Sequence, residues 1–139
     1  MSQAPLEQIR LPRRIVNCIL GHVQEDPVRE ACGFLAAREG KICNWYPVCN
    51  IARDAALHFE MDPREQIAAL RRMREAGEDL FAIYHSHPTA PAHPSASDLA
   101  EAGYPEALYL IVSLDTQGVL EMRGYRIQEG QVTEVALAL

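Results

Sequence analysis

The first regular pattern begins at Leu11, with apolar residues returning at Ile15, Ile19 and Val23. This four-residue recurrence makes one helical stripe, which Pro27 ends. Two runs follow, ACGFLAARE and KICNWYPVCN, with Gly40 between them. Their residues suit a pleated surface and predict a hairpin. A third strand is expected around LHFEM, residues 57–61, after an irregular connection. DPREQIAALRRMREAG carries several helix signals: Asp62 as N-cap, Pro63 at the first helical position, Glu65 completing a capping box, and Gly77 past the end.

The remaining runs alternate between apolar and interrupted. LFAIYHSH is apolar on both faces until its last residues, the mark of a central strand covered on both sides, and EALYLIVSL repeats that character. SASDLAEAG between them predicts a short helix. After DTQG, the segments VLEMRGYRI and QVTEVALAL predict a closing hairpin that turns at Glu129-Gly130. The order helix, strands, helix, strand, short helix, strands defines an α/β protein: a mixed sheet with helices packed against its faces.

A chain of 139 residues suits one compact domain, 1–139, with a substantial core. With 48% hydrophobic and 23% charged residues, disorder is excluded. The formal charge of -6 disfavours nucleic acid as a partner, and Arg13, Arg14, Arg71, Arg72 and Arg74 are expected on a solvated surface. The longest apolar runs, such as LYLIV, fall far short of the roughly 20 residues that span a bilayer. RRIVNCIL is followed by no small-residue cleavage site, so a cytoplasmic protein is expected. Cys18, Cys32, Cys43 and Cys49 form no C-x-x-C pair and are expected to be reduced, buried, small hydrophobes.

Candidate chemistry gathers in YHSHPTAPAHPSASD, residues 84–98. His85 and His87 are two apart near a strand end, so their side chains project to one side and could share an ion. Two imidazoles and a carboxylate leave a fourth tetrahedral position open, the arrangement of a catalytic rather than a structural zinc. Asp98 is the natural third ligand, reached through a loop that Pro88, Pro91 and Pro94 stiffen. An attacking water needs a base, for which several acids are available; Glu30, at the start of the apolar EACGFL, would have its pKa raised by burial. The Ser95 hydroxyl could donate to a carbonyl oxygen as it gains charge.

Each residue also has a plainer reading. Ser95 and Asp98 have capping-box spacing, with Ser97 an alternative cap; the histidine pair could be a polar rim, and Glu30 an exposed acid. Their conjunction favours the metal site. His22 and His58 are expected in surface or packing roles, and His93 lies in the proline loop, where it touches substrate or nothing.

These residues, in this order, resemble the JAMM (MPN-plus, Mov34/PAD-1-like) metallopeptidases of the stand-alone bacterial type. The family pattern is an upstream glutamate, His-x-His, ten residues and Asp, with Ser three before that Asp; here it reads Glu30, His85-Ser86-His87, Ser95 and Asp98. EACGFL, FEMDP, YHSHP and PSASD resemble the family's corresponding segments, so that the likeness extends from about Arg13 to Leu114. The resemblance implies the fold shared with cytidine deaminases, one zinc on His85, His87 and Asp98, Glu30 as acid/base, and Ser95 steadying the oxyanion. It further implies peptide or isopeptide hydrolysis at the C-terminal tail of a ubiquitin-like, β-grasp sulfur-carrier protein, for example with release of cysteine. Only 54 residues separate Glu30 from His85, leaving little for an inserted clamp. A monomer or weak homodimer is expected.

Two other classes compete with this reading. A non-catalytic MPN-type binding module would usually lack a metal residue, and this chain lacks none. A zinc hydrolase of a small amide or nucleobase of the deaminase kind would carry Pro-Cys-x-x-Cys, which is absent.

Overall fold

The computed structural model describes residues 7–115 and 120–139. The elements run β1 (Gln8–Arg10), α1 (Arg13–Glu25), β2 (Cys32–Arg38), β3 (Lys41–Val48), α2 (Pro63–Glu75), β4 (Asp79–His87), α3 (Ala96–Glu101), β5 (Leu108–Ser113), β6 (Glu121–Gln128) and β7 (Gln131–Ala138). The strands form one sheet in the order β1-β7-β6-β5-β4-β2-β3. β4 and β5 pair in parallel, as do β1 and β7, and the other neighbours are antiparallel. The expected mixed α/β architecture is therefore present. Among the described residues no helix is long and apolar enough to cross a membrane.

Period-two alternation along β4 divides the core. Ala82 and Tyr84 face the side where Leu11, Ile15, Ile19 and Val23 of the first helical stripe pack with Leu35, Leu108, Leu110 and Val112. Ile83 faces the other side, with Ala69 and Met73 of α2, Phe34, Tyr109, Ile111 and Tyr125. His85 and His87 follow Ile83 at intervals of two, so both project from the α2 face at the end of the strand. Both hairpin turns have two residues at positive φ, Glu39 and Gly40 (52° and 78°), and Glu129 and Gly130 (51° and 77°). These turns match the twist of their strands.

Several expectations are corrected. LHFEM is no strand: the amides of Leu57 and His58 turn back onto the Asp54 carbonyl, and only Met61 makes an isolated bridge, with Asn50. Glu65 does not complete a capping box at Asp62, because the Asp62 amide is taken by the Cys49 carbonyl and Glu65 accepts the Cys49 amide instead. Asp62 does cap α2, accepting the Arg64 amide. β1 is an additional strand, its three residues too few to show a period. The DTQG turn falls largely at 116–118, outside the described residues. All the cysteines are free thiols, but only Cys32 is buried: Cys18 and Cys43 are half-buried and Cys49, just past β3, is exposed. The arginines of α1 and α2 are exposed as expected.

Behind the histidines, on the α1 face, Tyr84 joins two further side chains. Trp45 Nε1 donates to the Tyr84 hydroxyl at 2.8 Å, so the Tyr84 proton goes to His22 Nδ1 at 2.6 Å. Gly33 makes room for this ring, since a Cβ there would lie 2.6 Å from both the Tyr84 hydroxyl and the Tyr46 carbonyl. His22 is thus a packing residue that must accept, hence neutral, and burial lowers its pKa against the opposing charge of Glu25.

Two outcomes follow from this network. Tyr84→Phe leaves the indole N–H and His22 Nδ1 unpartnered and should cost about 1–3 kcal/mol in urea unfolding at neutral pH. With its folded pKa depressed, His22 contributes stability that is complete above about pH 6.5 and lost on acidification. The stability advantage of wild type over His22→Gln should therefore shrink between about pH 7 and pH 5, and growth of that advantage would contradict the assignment.

Candidate metal centre

His85 Nε2 and His87 Nε2 lie 3.1 Å apart, and each is 3.1 Å from Asp98 Oδ2. The three atoms form an equilateral triangle at the carboxyl end of β4. His87 Nδ1 donates to the Pro91 carbonyl at 2.8 Å, which leaves a lone pair on Nε2 of the neutral ring, pointing into the triangle. That lone pair and the Asp98 carboxylate repel one another unless a positive charge stands between them, either a proton on His87 or a metal ion. Tetrahedral zinc holds its ligands at about 2.0–2.1 Å and therefore about 3.4 Å from each other, so the donor set and its spacing suit such an ion.

Asp98 is held by the element it begins. Ser95 Oγ accepts the Asp98 amide at 3.1 Å, and Asp98 Oδ2 accepts the Ser95 amide at 2.8 Å, a reciprocal capping box at the start of α3. Capping and metal geometry are thus compatible: the cap orients the oxygen that faces the histidines. Burial pushes the Asp98 carboxyl up, but the imidazoles of His85 and His87, when a proton stands where the cation would, and the Ser95 amide outweigh it and hold it well below the usual carboxylate range. Burial keeps the His85 pKa low, whereas at His87 the same burial is overcome by Asp98 and the Pro91 carbonyl, and its pKa rises.

Glu30 completes the group. It lies just before β2, is 4% exposed, and one of its oxygens, one nitrogen of each histidine and one Asp98 oxygen all lie within 4.8 Å of one another. Desolvation, assisted by Asp98 and Glu101 and opposed by His87, pushes its pKa up to about 8. Glu30 Oε1 and His85 Nδ1 are buried without a hydrogen-bond partner among the described residues. All the predicted site residues therefore meet: Glu30, His85, His87 and Asp98 directly, and Ser95 through Asp98.

Other side chains that sequence reasoning missed hold this arrangement. Ser86, facing away from the site between the two histidines, accepts the Ala31 amide on Oγ at 2.8 Å while its own amide donates to the Ala31 carbonyl at 3.0 Å. This pins the residue after Glu30 to the histidine strand. In the proline loop three successive carbonyls receive side-chain donors: Ala90 from Ser113, Pro91 from His87, and Ala92 from Tyr125. Phe59 stacks on His85 with ring centroids 4.6 Å apart and planes 26° from parallel, covering one side of the cluster. Ser113 and Tyr125 lie in strands remote in sequence, and only the sheet order brings them to the loop. His93 sits 3.1 Å from the Tyr125 hydroxyl, and His58 sits 3.2 Å from Ser97 Oγ.

Comparison with known proteins agrees with the motif. Residues 12–127 match the family described as prokaryotic homologs of the JAB domain, and the chain belongs to that family. It is 38% identical over 122 residues to the CysO-cysteine peptidase of Mycobacterium tuberculosis, covering 86% of this chain and 83% of that protein. It is also 38% identical over 105 residues to the desampylase of Haloferax volcanii, covering 71% of this chain and 76% of the relative. A solution structure of a protein from Desulfitobacterium hafniense superposes with a TM-score of 0.83 at 34% identity, over 94% of this chain and 91% of that one.

The clamp at Ser86 yields an expected outcome. Ser86→Ala strands the Ala31 amide and should destabilise the chain by about 1–3 kcal/mol in denaturant unfolding. Tyr125→Phe should speed hydrogen exchange in the loop before α3 while leaving that of β4 unchanged.

Proposed function

We propose that this chain is a zinc-dependent metallopeptidase of the JAMM type. Its substrate is a peptide or isopeptide bond at the C-terminal tail of a ubiquitin-like, β-grasp sulfur-carrier protein, for instance a carrier that bears a linked cysteine. The observation that carries the reading is the triangle of His85 Nε2, His87 Nε2 and Asp98 Oδ2, 3.1 Å on each side, with the buried Glu30 carboxyl beside it. The named activities of the relatives, a CysO-cysteine peptidase and a desampylase, support the substrate class. The span from Glu30 to His85 supports it too, since it is occupied by β2, β3, α2 and their connections, leaving no large inserted clamp.

In this reading His85, His87 and Asp98 hold one zinc ion, whose chemistry is to polarise the scissile carbonyl and acidify the attacking water. Glu30 takes the proton from that water and later hands it to the departing amine. A carboxyl whose pKa burial has raised to about 8 is retained near neutrality as a proton carrier, and a neighbouring cation moves it back towards the ionised form that a base requires. The Pro91 carbonyl fixes the His87 tautomer, so the ligating nitrogen is presented without reorganisation. Phe59 keeps bulk water from one face of His85. The Ser95 hydroxyl accepts the Asp98 amide and lies 3.1 Å from Ser97 Oγ, and with Ser97 as the donor of that pair its own proton serves to stabilise an oxyanion. The reading places the protein in the cytoplasm.

Elemental analysis should find about one zinc per chain in wild type and its loss in His87→Ala. Zinc-loaded wild type should cleave a carrier with an amino acid linked to its C-terminal glycine, followed by intact mass. Glu30→Gln should keep the zinc and lose turnover, and loss of the metal with Glu30 would count against a base. Ser95→Ala should lower kcat by about 10²- to 10³-fold. If it instead lowers stability with normal turnover, Ser95 is a cap alone.

A further inference from the structure

The connection from Asn50 to Met61 has no helix or strand of its own, yet it delivers Phe59 onto His85. One side chain organises it. Asn50 Oδ1 accepts the amides of Ala52 at 2.9 Å and Glu60 at 3.0 Å, while Nδ2 donates to the carbonyls of Glu30 at 2.9 Å and His58 at 3.0 Å. A primary amide offers one acceptor oxygen and two N–H donors, so Asn50 is fully used. Its orientation is fixed by its partners, since amides approach one end and carbonyls the other. The Asn50 backbone carbonyl in turn accepts from the Arg29 guanidinium at 2.8 Å, and the Glu30 amide donates to Ala55 within the same connection at 2.6 Å.

Glu30 is therefore tied to this connection through both its amide and its carbonyl, while Ser86 fixes the residue after it. Resting on the reading of Glu30 as the proton carrier, we propose that Asn50 is a positioning residue. It welds the backbone of Glu30 and the segment that carries Phe59 into one unit, setting the Glu30 carboxyl against the His85, His87 and Asp98 cluster. Asn50 stands outside that cluster and acts only through Glu30 and Phe59. Aspartate is nearly the same shape and keeps both acceptor contacts, but it would set a carboxylate oxygen against the Glu30 and His58 carbonyls.

The test uses zinc-loaded full chain and a carrier bearing one amino acid on its C-terminal glycine. Asn50→Asp should lower kcat about 10²-fold, with KM and zinc content within about twofold of wild type. On the residual turnover of Glu30→Gln the same change should cost far less than it does in wild type, because most of its effect passes through the Glu30 carboxyl. Ile19→Val, which loosens the core on the opposite face, controls for lost stability and should leave kcat unchanged. A kcat for Asn50→Asp within about twofold of wild type, or losses that multiply in the double variant, would overturn the proposal. Hydrogen exchange of Asn50→Ala gives a readout free of catalysis. The amides of Glu30, Ala52 and Glu60 should exchange at least about tenfold faster while those of β5 stay protected. Unchanged exchange at Glu30 would overturn the positioning role. Should wild type fail to cleave any carrier, the functional reading falls and the exchange result alone decides the role of Asn50.

Discussion

The parallel pairing of β4 with β5 is the constraint on which the site depends. Antiparallel neighbours can be joined by a tight turn, but parallel ones require the chain to return to the far end of the sheet before starting again. Residues 88–107 make that return, so the proline loop and α3 must leave from His87 and pass over the carboxyl end of β4. Asp98 is carried back over the two histidines as a result. Open α/β sheets place their ligands at strand carboxyl ends for the same reason, since that is where crossover segments converge.

Two carboxyls only ångströms apart meet opposite fates in this small volume. Burial raises both, but Asp98 accepts the Ser95 amide and faces two imidazoles, which hold its pKa down, whereas Glu30 has little to oppose its desolvation. The opposite shifts of these two carboxyls are therefore set by the polar partners each one meets. The local backbone decides this: the Ser95 amide belongs to the cap of a six-residue helix, whereas one Glu30 oxygen is buried without a partner among the described residues, in the connection just before β2.

Much of this was legible in the sequence because the signals were local. The stripe at Leu11, Ile15, Ile19 and Val23, the Asp62 cap and the positive-φ turns at Gly40 and Gly130 depend on neighbours a few residues away. His85 and His87 are read by strand periodicity, and Asp98 by its place at a helix start. LHFEM failed because Asn50 and Asp54 supply hydrogen-bond partners that compete with a sheet ladder, and β-propensity yields to such partners. Ser113 and Tyr125 were illegible for another reason: their contacts with the proline loop span 23 and 33 residues, and no local pattern encodes a pairing set by strand order.

The hydrogen bond between Trp45 and Tyr84 has an optical consequence. Trp45 is the only tryptophan in the chain, and its indole N–H ends on the residue that immediately precedes His85. All indole emission therefore originates from one place, the back of the strand that carries the histidines. Its colour and intensity follow the polarity around the Tyr84 hydroxyl and the charge on His22 beside it. The molecule thus contains its own fluorophore directly behind the strand that carries the histidine pair, and events at that strand can be followed by light without attaching a label.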